Sequence, residues 1–147
     1  MRRQRLRALI GDNRGATAVE FALVIGPLLL VLFGIIEFGR MIWTNNALQE
    51  TAIDAARCAG ILESSCAASG AYSAGNTATY AQTVANGWGI TMPTSDVTSS
   101  GSATCAGVAG FTSVTINYTF QTVVPLVLTS LAGGIPLSAT ACFPNQP

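Results

Sequence analysis

Histidine is missing from all 147 residues, and lysine with it. Without histidine the chain lacks the side chain that most often acts as general base or metal ligand near neutral pH. Without lysine it cannot run P-loop, Schiff-base or Ser-Lys chemistry. Charge of either sign is scarce, at 10% of residues, against about 25% in an average soluble domain. That excludes a charged disordered chain. With 50% apolar residues it points toward a membrane. Acids and bases balance at seven each, so a globally basic nucleic-acid binder is not expected. There is no Cys-x-x-Cys pair, and with no histidine a zinc site is not expected either. No other metal or cofactor motif stands out.

What charge there is falls unevenly. Arg2, Arg3, Arg5, Arg7 and Arg14 crowd the first fourteen residues against Asp12 alone, a net of +4. The rest of the chain sets Arg40 and Arg57 against six acids, a net of −4. Between them Ala16 to Ile36 is apolar over 21 residues, with Glu20 its one charge. At 1.5 Å per residue such a helix spans roughly 30 Å, the thickness of the bilayer hydrocarbon. Arginines at one end place that end in the cytoplasm and the remainder on the exported side. An ordinary signal peptide would be shorter and would end at a small-residue cleavage site. This run instead continues into a helical pattern with no such break.

Glu20 is costly in that setting, on the order of 2.5–3.5 kcal/mol near the bilayer centre and less toward an end. The plain reading is an acid that snorkels to the interface. A sharper one starts from Arg14-Gly15-Ala16. Cleavage after Gly15 would give Ala16 a new α-ammonium. Glu20, four residues on, would share its helix face and could pair with that ammonium or with a neighbouring subunit's. Glycine before the cut lets the backbone extend into a protease cleft.

A basic leader, Gly, four residues, Glu, an aromatic and a long apolar helix together resemble the class III signal of type IV pilins and pseudopilins. The longer string resembles the TadE-like (TadE/TadG) pseudopilin family of the tight-adherence, or Flp, pilus system. The residues that carry it are Arg14, Gly15, Ala18-Val19-Glu20-Phe21-Ala22-Leu23-Val24, Pro27, Leu28-Leu29-Leu30, Gly34-Ile35, Glu37, Arg40, Leu48, Ala52 and Asp54-Ala55-Ala56-Arg57. They lie within about residues 14–60, a third of the chain. The resemblance implies that a prepilin peptidase removes Met1–Gly15 on the cytoplasmic face of a bacterial inner membrane. Gly15, Glu20 and Phe21 would then be recognised, and Ala16 would become the mature N-terminus. It implies a minor, pilin-like structural part in pilus biogenesis, with inner-membrane lipid, the peptidase, other pilins and the assembly platform as partners. Phe21 stands where Flp major pilins usually have Tyr. The chain is also far longer than a major pilin, which favours the minor role.

The helical period continues past Ile36. Positions 38, 41, 45, 48, 52, 55, 59 and 62 step by three and four and are mostly apolar, a candidate packing seam. Glu37 with Arg40, and Asp54 with Arg57, are i,i+3 pairs expected on a solvated face. Gly60 reads as the left-handed residue closing the helix, with Ile61 as the apolar contact that follows. A helix from Ala16 to Ala59 would be about 65 Å long. Gly26-Pro27 should kink its membrane half, since proline removes a backbone bond and crowds the preceding turn.

The fold expected is α+β. A leader (1–15), a membrane helix (16–36) and its exported continuation (37–60) precede a small exported domain (61–147) with a short helix and about three antiparallel strands. Gly70–Gly75 reads as a loop, and Asn76 as the cap of a short helix ending near Asn86-Gly87. Met92–Asp96 and Ser99–Gly101 read as turns. Val114, Ile116, Tyr118 and Phe120 alternate with Thr115, Asn117, Thr119 and Gln121, a half-buried strand. Leu137–Phe143 reads as a second strand, with a weaker third from Val97, or from Ser102, to Ala106. Val123–Leu131 is apolar but too short to span. It reads as a buried connection, with peripheral membrane contact as the minor option.

Cys58, Cys66, Cys105 and Cys142 all fall on the exported side, where disulfides persist. Four cysteines allow three pairings. Cys58–Cys66, across the helix end, and Cys105–Cys142, between strands taken as neighbours, are favoured. Glu50 and Asp54 are an i,i+4 carboxylate pair, but on a projecting helix they read as a solvated face. An enzyme is not expected. The competing reading to a processed pseudopilin is an uncleaved single-pass protein presenting a small exported binding or adhesion domain. It differs only in processing at Gly15.

Overall fold

The computed structural model describes residues 15–123 and 134–146. The basic leader and the apolar stretch from 124 to 131, read above as a connection, lie outside them. The chain divides into two compact units, Met1–Phe38 and Gly39–Pro147.

Helix α1 runs from Ala16 to Gly60 with Pro27 inside it. Having no N–H, Pro27 leaves the Leu23 carbonyl without its intrahelical donor. From Thr17 to Ile36 every residue is exposed except the half-exposed Ile25. Downstream the helix buries Thr44, Ala47, Leu48, Thr51, Ala52, Ala55, Ala56, Cys58 and Ala59. The expected seam is therefore right at Leu48, Ala52, Ala55 and Ala59 and wrong at Phe38, Asn45 and Leu62, which are exposed. The buried face includes polar positions that a search for apolar residues rejects. Thr51 is fully buried because its hydroxyl donates to the Ala47 carbonyl one turn back, at 2.7 Å.

The end of α1 departs from expectation in an informative way. Gly60 is not left-handed; Leu62 is, at φ 54°. Glu63 N–H bonds to the Cys58 carbonyl at 3.0 Å and Leu62 N–H to Ala59 at 3.3 Å. That is a Schellman closure with Leu62 at the C′ position usually held by glycine. Glycine is needed at 60 for space: a Cβ there would lie 2.7 Å from Phe143 Cδ1.

After α1 come a minimal hairpin, β1 (Ala67–Ala68) and β2 (Ala71–Tyr72), and helix α2 (Ala74–Gly87). Part of the expected 70–75 loop is thus strand and helix. The cap of α2 is Ser73 rather than Asn76: its side chain accepts from Asn76 N–H. Asn76 instead donates to the Ala67 carbonyl at 2.7 Å. A 3₁₀ turn at Thr94–Asp96 leads into β3 (Val97–Cys105), β4 (Val108–Phe120) and β5 (Ile135–Pro144). They form an antiparallel sheet in the order β3-β4-β5. The register sets Val97 opposite Ile116 and Val114 opposite Ala141. Ser99–Gly101 is strand, not turn. Gly101 is there because the Tyr72 ring lies over it, 2.7 Å from where a Cβ would sit.

The inner sheet face contributes Val97, Val114, Ile116, Ala139 and Ala141 to one core with α1 and α2. Nine of the fifteen buried residues in that core are alanine. Such small side chains let helix and sheet backbones approach closely, and little room is left for a pocket between them.

Candidate processing and anchoring segment

The residues singled out at the start of the apolar run lie together at the beginning of α1. Gly15 is exposed, and among the described residues nothing beyond its chain neighbours lies within 4 Å of where a Cβ would be. Helix begins at Ala16, so the Gly15–Ala16 bond marks the transition into the helix. Glu20 follows one turn on and is exposed, as is Phe21 at 66%. The first turn of a helix leaves four N–H groups without intrahelical partners and carries partial positive charge. A carboxylate one turn along faces that end favourably. It would face a terminal ammonium on Ala16 at i,i+4 spacing.

Downstream, Val19, Phe21, Leu23, Val24, Leu28–Phe33, Ile35 and Ile36 are all uncovered by the protein. A window of this helix has mean hydropathy 2.6 and is 0% buried. It is long and apolar enough to cross a membrane. Uncovered apolar surface on this scale is not tolerated in water, whereas in lipid it is the favourable arrangement. Gly26 and Gly34 have open space around them. They permit close approach of a neighbouring helix.

Glu37 departs from the solvated face expected for it, being 8% exposed. The Arg40 guanidinium lies 5.2 Å from the centroid of the Phe120 ring. Asp54 and Arg57 are exposed as expected, and so is Glu50. Glu50 and Asp54 therefore form a solvated pair rather than a lined site. Among the described residues no group of three or more His, Cys, Asp or Glu converges as a metal site would require.

The disulfides are Cys58–Cys66 and Cys105–Cys142, the favoured pairing. The first sits in a buried cluster with Ala59, flanked by Tyr72 and Tyr80. Tyr80 is held above its ordinary pKa by burial, and further by the negative charges of Asp54 and Glu63. The second disulfide does not tie neighbouring strands. It joins the two edge strands, β3 and β5, past the central β4. Strands two apart in a flat sheet are about 9.5 Å from each other, yet these Cα atoms are 6.5 Å apart. Register breaks at Ser100–Ala103 and Ala103–Thr104, with Gly110 at φ 91°, curl the β3–β4 hairpin enough to allow it.

One contact has no signal in the sequence. Trp43 on α1 and Trp88 after α2 meet edge to face. Trp43 lies seven residues past the apolar run, but nothing local in the sequence pairs it with a residue 45 positions away.

Residues 15–57 match the model of the TadE-like protein family. No curated protein and no solved structure matches the chain.

Proposed function

We propose that this chain is a minor pilin-like structural component of tight-adherence pilus biogenesis, cleaved after Gly15 by a prepilin peptidase and assembled through its apolar N-terminal helix. The observation that carries the reading is a coincidence of boundaries. The TadE-like match begins at residue 15, an exposed glycine one residue before the printed start of α1 at Ala16 and five before Glu20. That match carries the association with the Tad pilus. The uncovered stretch from Thr17 to Ile36 is the means of holding the subunit in the inner membrane and later of packing against other pilins. Glu20 sets register by pairing with a terminal ammonium. Positive-inside placement keeps the leader cytoplasmic and exports the domain that follows. The two disulfides suit an oxidising compartment. The role is structural and non-catalytic, with lipid, the peptidase, other pilins and the assembly platform as partners.

The test is the N-terminal residue of the membrane-extracted protein, read by mass spectrometry with and without the host's prepilin peptidase. A start at Ala16 only when the peptidase is present is expected. Gly15→Leu should block processing, because a branched side chain crowds the scissile bond. Glu20→Ala should insert normally but fail to assemble. An intact Met1 start in both strains would favour the second reading, an uncleaved single-pass protein presenting its small domain for binding or adhesion.

A further inference from the structure

Trp43 and Trp88 are the only tryptophans in the chain. Their ring centroids are 5.9 Å apart with planes at 71°. Neither is buried: they are 60% and 42% exposed. Tryptophan carries one of the largest apolar surfaces of any side chain, and folds ordinarily cover it. Here the pair instead lines an open cavity of about 390 Å³ with Arg40, Thr44 and Ile90. Ile42, next along α1, is exposed as well.

Chain continuity says what covers this edge. Trp43 stands seven residues beyond Ile36, on the same unbroken helix, about 10 Å by helical rise. The headgroup layer on each side of a bilayer is roughly 5–8 Å deep. A helix that leaves the hydrocarbon near Ile36 therefore brings Arg40, about 6 Å further on, to headgroup depth, and Trp43 to its outer edge, with helical side chains leaning back toward the N-terminus and so toward the lipid. Indole rings collect there, their bodies apolar and their N–H groups able to reach water or lipid oxygens. Arginine suits the same depth, its stem on apolar surface and its guanidinium toward phosphate. Trp43 alone would follow from the span. Trp88 does not: it belongs to the turn that closes α2, where Gly89 at φ 77° reverses the chain.

We propose that Trp43, Trp88 and Arg40 form a docking surface for phospholipid headgroups, which seats the turn after α2 on the membrane that α1 crosses. The proposal rests on the reading that residues 17–36 span that membrane. Before assembly the small domain is then held against the bilayer by a second contact, separate from the span itself.

The two-tryptophan composition makes the test direct. The full chain is reconstituted in vesicles of phosphatidylethanolamine and phosphatidylglycerol. Trp43→Phe leaves Trp88 as the sole indole and keeps an aromatic ring beside it. Its emission should be blue-shifted and protected from aqueous iodide. Phospholipids brominated near the headgroup should quench it more strongly than those brominated near the chain end. Trp88→Phe, which leaves Trp43, is the positive control. Carbonate extraction reports the span independently. A protein retained in carbonate, with Trp88 unquenched by either bromolipid and open to iodide, overturns the docking proposal alone. Protection from iodide without bromolipid quenching means a protein partner covers the edge and also overturns it. Loss from the membrane in carbonate overturns the spanning reading and the proposal together.

Discussion

Replacing Gly60 by alanine should destabilise the fold, although alanine is the better helix former. The residue is helical, not left-handed, so the backbone itself favours the change. Gly→Ala in a helix gains up to about 1 kcal/mol, less at the last turn. Against this stands the space available. The new Cβ would lie 2.7 Å from Phe143 Cδ1 and 3.4 Å from the Pro144 carbonyl oxygen. Carbon atoms in ordinary contact are about 3.5–4.0 Å apart, so one group must move by nearly 1 Å. The strand cannot give easily. It is paired with β4 along its length, and Gln146 N–H is bonded to the Gly60 carbonyl at 3.0 Å. The Phe143 ring must turn instead, against the core it packs on. Overpacking of this kind costs about 1–3 kcal/mol, so the net effect is a loss of about 1 kcal/mol. In a unit of this size that lowers the thermal midpoint by about 5 °C. Near-UV circular dichroism of the full chain in detergent is the suitable readout, because the membrane helix dominates the far-UV signal. Gly75→Ala in α2 is the control, with nothing within 4 Å of its Cβ position. It should be neutral or stabilising. If both variants raise the midpoint equally, the packing argument at Gly60 is refuted.

Two further outcomes follow from the buried disulfide cluster and from the exposed bridge. Tyr80 has a raised pKa, so the fold favours its neutral hydroxyl. That contribution is complete below the ordinary value of 10.0 and is lost as pH rises through the raised one. Tyr80→Phe should flatten the fall in thermal midpoint above pH 10; an unchanged alkaline slope would remove Tyr80 as its cause. Mild thiol reduction with alkylation should label Cys105 and Cys142 first, since Cys142 is exposed while Cys58 and Cys66 are 2% and 0% exposed. Opening that bridge, with its sequence separation of 37, should cost about 4 kcal/mol on the loop-entropy account. Equal labelling of all four cysteines would contradict the burial argument.

The strands were legible because their alternation is strict where it matters. Val114, Ile116 and Phe120 are buried, while Thr119 and Gln121 beside them face out. The helix was legible from run length and period. Other features were hidden for identifiable reasons. Thr44 and Thr51 lie on the buried face of α1, but a hydroxyl that bonds back to its own helix leaves no trace in an apolar pattern. Gly60 reads as a helix stop in the sequence because closure and close packing both select glycine, and only the structure tells them apart. The curl that lets Cys105 reach Cys142 depends on register breaks in β3, which no residue type announces. The candidate segment is named from residue types, spacing and the family resemblance, and the structure places Gly15, Ala16, Glu20 and Phe21 at the start of α1. The Trp43–Trp88 contact depends on how α2 returns toward α1, and sequence distance conceals it.

Side-chain size changes along α1 where its burial changes. Upstream of Glu37 the exposed positions of α1 carry Leu, Ile, Val and Phe, bulky groups that the protein leaves uncovered. Downstream, the buried positions carry mostly Ala, small enough for the sheet to pack directly against the helix. The second half of α1 therefore cannot be withdrawn without opening the core. It is also fastened along its length: Gln49 Nε2 donates to the Thr140 carbonyl, Gln146 N–H to the Gly60 carbonyl, and Cys58 is bonded to Cys66. The residues around the unit boundary, Ile36 to Arg40, contain one glycine and no proline and remain helical throughout.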